Sequence, residues 1–316
     1  WARGVDGNRS SATHAVELDA ALTSPGRAAR SDGVIAGDLA GDQVVSADYR
    51  TPFLAHAALE PLAATAHVQA DRCDVWLGTQ SPSRVQQWGA KLTGLPEARI
   101  FVHTHTIGGA FGRRGEWDFY LEAIELSKLT AAPIKLMWTR EDDMRGLWYR
   151  PFVMSRVQAA VDAKGKPTAW QQSTISQPVI KASPFAKFAI KADGIDPSSV
   201  EGVVDMPYGI ANLSVDLHDG NPTIPIQWWR SVGHSHTAFV VESALDELAA
   251  LGGQDPLEIR RGLLAEQPRH LAVLNAVAKM AKWQSKPPAG RARGIALHAS
   301  FGSIAAQVAE VSVSDG

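Results

Sequence analysis

Chemistry in this chain would centre on Ile107-Gly108-Gly109-Ala110-Phe111-Gly112-Arg113-Arg114, where a strand pattern runs through glycines into a helix. Glycines without Cβ let backbone N–H groups approach a ligand closely. N–H groups beside a helix start suit an anion or an oxo ligand. Arg113 and Arg114 add fixed positive charge of the kind that recognises phosphate. The pattern is neither G-x-G-x-x-G nor a P-loop, because Lys-Ser/Thr is missing. From spacing alone, a structural glycine turn is the simpler reading.

Two further places carry polar chemistry. Gly78-Thr79-Gln80-Ser81-Pro82 is a strand end followed by a helix start, and Gln80 puts a neutral amide at that turn. An amide can donate to an oxo group or accept from a ligand, although a turn or capping role is the ordinary one. Arg230, in Trp228-Trp229-Arg230-Ser231-Val232-Gly233-His234-Ser235-His236, is placed to clamp a phosphate or carboxylate bidentately. His234 and His236 resemble a metal pair, yet no cysteine or carboxylate at ligand spacing accompanies them. His103 and His105 alternate on one strand, where satisfied or exposed histidines are the default. No residue is assigned as a metal ligand. No Gly-x-Ser-x-Gly, His-Glu-x-x-His or Cys-x-x-Cys motif anchors a hydrolase or zinc-enzyme reading.

The elements that must position these residues read as mixed. Two short strands fall within 66–77 around Ala70-Asp71-Arg72. Ser81-Pro82 opens a helix with Val85, Trp88 and Leu92 on one face, and Gly94 closes it. Ile100, Val102, Thr104 and Thr106 alternate as a strand. Trp117, Leu121 and Ile124 mark a second helix, and strands are expected at 134–138 and 152–161. The stretch 174–225 reads as long, proline-rich and irregular. Val241, Ala244, Leu245 and Leu248 then give the clearest helical face, ended by Gly252-Gly253. Asp255-Pro256-Leu257-Glu258 is a capping-box pattern, and Leu271, Leu274, Ala278 and Ala281 form a last helix. Residues 1–46 show weak periodicity. The run 307–316 alternates and ends in Asp315-Gly316, a turn signal, so it reads as an unpaired strand in a chain cut from a longer polypeptide. This mixture is an α+β fold class.

Composition narrows the function. The 316 residues are 45% hydrophobic and 20% charged, enough for one large or two medium domains. A net charge of −2 from 31 basic and 33 acidic residues argues against nucleic acid as a partner. Cys73, the one cysteine, cannot hold an iron–sulfur cluster alone and reads as a half-buried strand residue. Ten tryptophans suggest that some line a pocket or a subunit contact.

Taken in order, these pieces resemble the large subunits of the xanthine dehydrogenase/aldehyde oxidase family, of the isoquinoline 1-oxidoreductase beta-subunit type. The resemblance runs over Ala55-His56-Ala57-Ala58-Leu59-Glu60-Pro61, Val75-Trp76-Leu77-Gly78-Thr79-Gln80, 108–114 and Trp138-Thr139-Arg140-Glu141-Asp142-Asp143. It continues through Trp229-Arg230-Ser231-Val232-Gly233, 242–249, Asp255-Pro256 and 294–313. It implies that 1–45 are the tail of a preceding domain and a linker, 46–230 a first molybdenum-cofactor-binding domain, and 231–316 a truncated second such region.

The resemblance further implies molybdenum held by the dithiolene of a pterin, in the cytosine dinucleotide form. The reaction would oxidise an aldehyde or hydroxylate an N-heterocycle with oxygen from water. Gln80 would hydrogen-bond an oxygen ligand on molybdenum. The loop Gly108, Gly109, Ala110, Phe111 and Gly112 would line the metal's apical side. Arg230 would hold the pterin or its phosphate, with Arg113 as a further cofactor contact. Two positions depart from the family pattern, Ala110 for a third glycine and Ser231 for the glycine after the arginine. The family's general-base glutamate loop and its Met-Gly-Gln-Gly pterin loop have no counterpart in this sequence, and Glu60-Pro61 and Glu97 stand in other contexts. Without the base, water activation loses a factor of roughly 10² to 10⁴, so the piece alone is expected to be inactive. The implied partners are the remaining segments of the same large chain, a small [2Fe-2S] subunit, a cytochrome c acceptor and a small-molecule substrate. A periplasmic or periplasmic-side membrane location is implied, with the cytoplasm as alternative. A non-catalytic scaffold that kept the fold and lost the base is the competing reading, and a generic phosphate-binding α+β domain is a third.

Overall fold

The computed structural model describes residues 10–35, 39, 43–146, 148–181, 183, 185–220 and 224–314. It divides into two compact units that are not consecutive in sequence. One comprises Trp1–Pro52, Phe152–Asn221 and Ser231–Gly316, and the other Phe53–Pro151 and Pro222–Arg230.

The chain opens in the first unit with α1 (Ser11–Ala21), β1 (Arg27–Asp32) and β2 (Val44–Thr51). It then builds the second unit from β3 (Leu54–Ala55), β4 (Ala63–Val68), β5 (Cys73–Leu77), α2 (Pro82–Thr93), β6 (Ile100–Thr104), α3 (Asp118–Thr130), β7 (Ile134–Met137), α4 (Arg140–Arg145) and β8 (Tyr149–Arg150). It returns to the first unit for β9 (Val153–Val161), β10 (Pro167–Ser176), α5 (Ala186–Ala189), α6 (Pro197–Val200) and β11 (Asn212–Asp219). Helices α7 (His234–Leu251), α8 (Pro256–Leu263) and α9 (Pro268–Met280) and the hairpin β12 (Arg291–Ser300) and β13 (Ser303–Ser312) complete it.

In the second unit the sheet order is β6-β5-β4-β7, with β5 and β6 parallel and the other neighbours antiparallel. Helix α2 makes the crossover between the two parallel strands, the connection that parallel strands require. Pro82 starts α2 and Gly94, at φ 80°, ends it in the left-handed region, as the sequence predicts. Val75, Leu77, Val85, Ile100, Phe119, Ala123 and Ile124 form one core between the sheet and the two helices α2 and α3. Cys73 is buried in the same core, and burial pushes its thiol up to about 11, so it behaves as a small apolar residue.

The first unit contains the five-stranded sheet β1-β11-β10-β9-β2. Three sequence expectations are corrected here. Residues 27–32 and 44–45, expected in a tail and linker, belong to the two edge strands of this sheet. The stretch read as irregular contains β11, whose Leu213, Val215 and Leu217 alternate into the core and pair parallel to β10. The C-terminal strand is not unpaired. β13 runs antiparallel to β12 through a turn at Phe301 and Gly302, both at positive φ, while Asp315-Gly316 lies outside the described residues.

Helix α7 turns Val241, Ala244, Leu245 and Leu248 inward, the face its periodicity predicts. That face also carries Glu242, a charged residue in an apolar core. Glu242 accepts from the Tyr208 hydroxyl at 2.6 Å, from Arg260 Nε at 2.9 Å and from the Leu297 N–H at 2.8 Å. Arg260 is fully buried and also donates to Asp246 at 2.6 Å. The cluster therefore ties α7, α8 and β12 together. Burial raises the Glu242 carboxyl above its ordinary range, and the arginine opposes it. At α8, Asp255 caps the helix through the N–H groups of Leu257 and Glu258.

Nearby, His234 Nδ1 lies 2.8 Å from His298 Nε2, with Glu201 at 3.8 Å from His234 Nε2. Burial, then the neighbouring His234 ring, pushes His298 down to about 4. His234 is lowered by burial as well, against Asp205. Folding therefore keeps both rings neutral where the unfolded chain takes up protons at about 6.5.

Two outcomes follow. Replacing Arg260 by Met leaves Glu242 buried without its partner and should cost about 3–5 kcal/mol in denaturant unfolding; a cost under about 1 kcal/mol would show that the pair is dispensable. The histidine contribution is complete above about pH 6.5 and is lost as pH falls toward 4. The melting temperature should therefore drop over that window, and less steeply in His298→Gln; equal slopes would remove the pair from the acid response.

Candidate functional site

The second unit brings its chemistry-bearing segments to one end of its sheet. β5 and β6 are parallel, so Gly78-Thr79-Gln80 and the loop 105–112 both leave from carboxyl ends of adjacent strands. Ligands of such sheets bind outside the carboxyl ends of the strands.

Gln80 and the glycine loop are tied twice. The Gly112 N–H donates to Gln80 Oε1 at 3.1 Å, and the Gln80 N–H donates to the Arg114 carbonyl at 3.1 Å. Because a backbone donor faces Oε1, the orientation of the amide is fixed, and its NH2 group is left to donate outward. Phe111 sits at φ 56°, a left-handed position that costs a non-glycine residue about 1–2 kcal/mol, and its ring is 37% exposed.

The segment 227–230 straps the loop from its other side. The Arg230 N–H donates to the Phe111 carbonyl at 2.9 Å, and Gln227 Nε2 reaches the Gly112 carbonyl at 3.4 Å. A Cβ on Gly112, at φ 107°, would stand 2.3 Å from the Trp228 carbonyl oxygen. That oxygen also lies 3.1 Å from His56 Nε2. Burial pushes His56 down to about 4, so the ring is neutral near pH 7 and its Nε2–H is the donor to that carbonyl. Gln80, Phe111 and Arg230 are thus linked through shared hydrogen bonds, and all three are exposed.

The loop offers what a pterin-bound oxo-metal group needs. Among the described residues, none accepts from the N–H groups of Gly109, Ala110 or Phe111. Positive φ at Gly109, Phe111 and Gly112 keeps this backbone coiled, a shape that presents successive N–H groups to an anion or oxo ligand. An outward amide NH2, an exposed ring and an exposed arginine border it. The residues present therefore fit the group on donor chemistry.

Other candidates have different employment. The Arg113 guanidinium is 2% exposed and pairs with Asp118 at 2.9 and 2.5 Å, so it does not face a ligand, contrary to its expected role as a cofactor contact. Arg114 is fully buried, with donors on the carbonyls of Gly78, Gly109, Glu60 and Pro61. Gly108 serves packing, since its N–H donates to Glu60 Oε2 at 2.9 Å and an added Cβ would lie 2.4 Å from Glu60 Cβ. His236 Nε2 lies 3.1 Å from the Ser199 carbonyl, and His103 Nε2 lies 2.8 Å from Asp74 Oδ1 and stacks on Trp76. No group of three or more potential metal ligands exists among the described residues. Sequence reasoning singled out Arg230 but missed both Glu60 and the strapping of the loop by the backbone at 227–230. The Glu60-Pro61 dipeptide was visible, but nothing in it announces a partner at position 108.

Residues 25–263 match the molybdopterin cofactor-binding domain family. The chain is 27% identical over 274 residues to the beta chain of isoquinoline 1-oxidoreductase from Brevundimonas diminuta, covering 85% of this chain and 35% of that protein. It is 29% identical over 281 residues to a nicotinate dehydrogenase subunit from Pseudomonas putida, covering 86% of this chain and 23% of that one. The chain thus spans about a quarter to a third of the length of these relatives. The crystal structure of quinoline 2-oxidoreductase from Pseudomonas putida 86 superposes with a TM-score of 0.67 at 19% identity over 87% of this chain and 38% of that one, a likeness of fold. The glycine loop and Gln80 both lie inside the matched span, and the chain belongs to the molybdopterin cofactor-binding domain family.

Proposed function

We propose that this chain is part of the large subunit of a molybdenum hydroxylase that oxidises an aldehyde or hydroxylates an N-heterocycle. The observation that carries the reading is the hydrogen-bonded convergence of Gln80, Phe111 and Arg230 around a loop whose N–H groups at 109–111 have no acceptor among the described residues. When bound, the pterin-held molybdenum supplies the redox step. The chain's own residues position and insulate it. The Gln80 NH2 would donate to the bound group, the Phe111 ring would keep water from one side, and the Arg230 guanidinium would hold the pterin or a phosphate.

The cytosine dinucleotide form of the cofactor belongs to the same proposal, as do further segments of the same large chain. Cys73, the one cysteine of these residues, cannot hold an iron–sulfur cluster, and a small [2Fe-2S] subunit that takes the electrons belongs to the same proposal. A cytochrome c serves as the final acceptor, and the complex works in the periplasm or on that side of the membrane. The names of the relatives, an isoquinoline oxidoreductase and a nicotinate dehydrogenase, favour flat N-heterocycles as substrates.

In the intact complex, Gln80→Ala should lower kcat by about 10², the scale of losing one preorganised donor, with molybdenum content unchanged. Unchanged turnover would take Gln80 out of the site. Acid hydrolysis of the purified complex should release cytidine monophosphate, and a complex free of both molybdenum and pterin would overturn the enzymatic reading in favour of a scaffold.

A further inference from the structure

Glu60 and Arg114 meet at the base of the loop. Glu60 Oε2 accepts from the Gly108 N–H at 2.9 Å and from Arg114 Nη2 at 2.9 Å. The Glu60 N–H returns a bond to the Gly108 carbonyl at 3.0 Å. Arg114 Nη2 also donates to the Glu60 carbonyl at 2.9 Å, its Nε to the Gly109 carbonyl at 2.9 Å, and its Nη1 to the Gly78 carbonyl at 3.3 Å. The Arg114 carbonyl accepts from the Gln80 N–H and from the Thr79 hydroxyl, each at 3.1 Å. One buried side chain therefore touches the turn at Glu60-Pro61, the end of β5 and the start of the loop. Its planar fork meets these carbonyls in a way an ammonium cannot.

We propose that Glu60 and Arg114 are positioning residues that hold the glycine loop in register with Gln80. A left-handed Phe111 persists only where its surroundings over-determine it. The strap at 227–230 holds the loop's far end, and the Glu60–Arg114 pair holds its near end. Removing the carboxylate leaves Arg114 buried beside an empty place and frees the Gly108 N–H. The loop then loses the orientation that sets the Gly112 N–H on Gln80 Oε1, and the amide loses its outward aim. This inference rests on the proposed role of Gln80.

The test uses the full complex with Glu60→Ala, Glu60→Gln, Gln80→Ala and the double variant Glu60→Ala/Gln80→Ala. Amide exchange of the segment 105–115 should quicken at least tenfold in Glu60→Ala, with a smaller change in Glu60→Gln, which keeps one acceptor for the Gly108 N–H. Turnover should fall at least tenfold in Glu60→Ala, and the double variant should be no slower than Gln80→Ala alone, because both changes act through one amide. Additive losses, or loop exchange unchanged from wild type, overturn the positioning role. Unchanged turnover in Gln80→Ala overturns the functional reading instead, and the exchange result then decides the clamp by itself. If Glu60→Ala does not assemble, Glu60→Gln decides, with slower turnover and faster loop exchange supporting the clamp and wild-type values in both overturning it.

Discussion

The site depends on a backbone held where it would not go unaided. Phe111 is neither glycine nor asparagine, yet its φ is 56°. Its conformation survives because the loop is fixed at both ends, by Glu60 and Arg114 below and by the strap at 227–230 above. The N–H groups at 109–111, which have no acceptor among the described residues, cost little because the residues that carry them are only partly buried and water or a ligand can reach them. Strain and open donors in one short loop are the usual mark of a place built for something other than stability.

The first unit shows the opposite use of polar groups. Glu242, Tyr208 and Arg260 satisfy one another inside the core, with a backbone N–H from β12 closing the set. Such a cluster adds little net stability over an apolar core, but it discriminates against packings in which α7, α8 and the hairpin meet in another register. The site loop leaves donors open, whereas this network leaves none of its main groups alone.

Local signals were legible in the sequence. Ser81-Pro82 and Gly94 bracket α2, the face of α7 follows its periodicity, and the glycine loop and Gln80 stand where strand ends were expected. What the sequence hid is tertiary. Arg113 and Arg114 have the residue type of a phosphate ligand, and only burial reveals that their charges face inward. β11 carries a clean alternation at Leu213, Val215 and Leu217, but the proline-rich surroundings masked it. β1, with the sequence RAARSD, has no alternation to detect, and its place is set by its partner β11. The hairpin was missed because Asp315-Gly316 is a stronger turn signal than Phe301-Gly302, which is where the chain reverses.

The clash between a side chain on Gly112 and the Trp228 carbonyl bears on how such motifs are interpreted across lineages. The demand for hydrogen at that carbon comes from the protein's own strap. A side chain at this glycine, or at Gly108 against Glu60, would force its neighbours to shift whether or not a ligand is bound. The demand for the two glycines therefore comes from the architecture itself, whereas the exposed Gln80 side chain is under no packing demand of that kind.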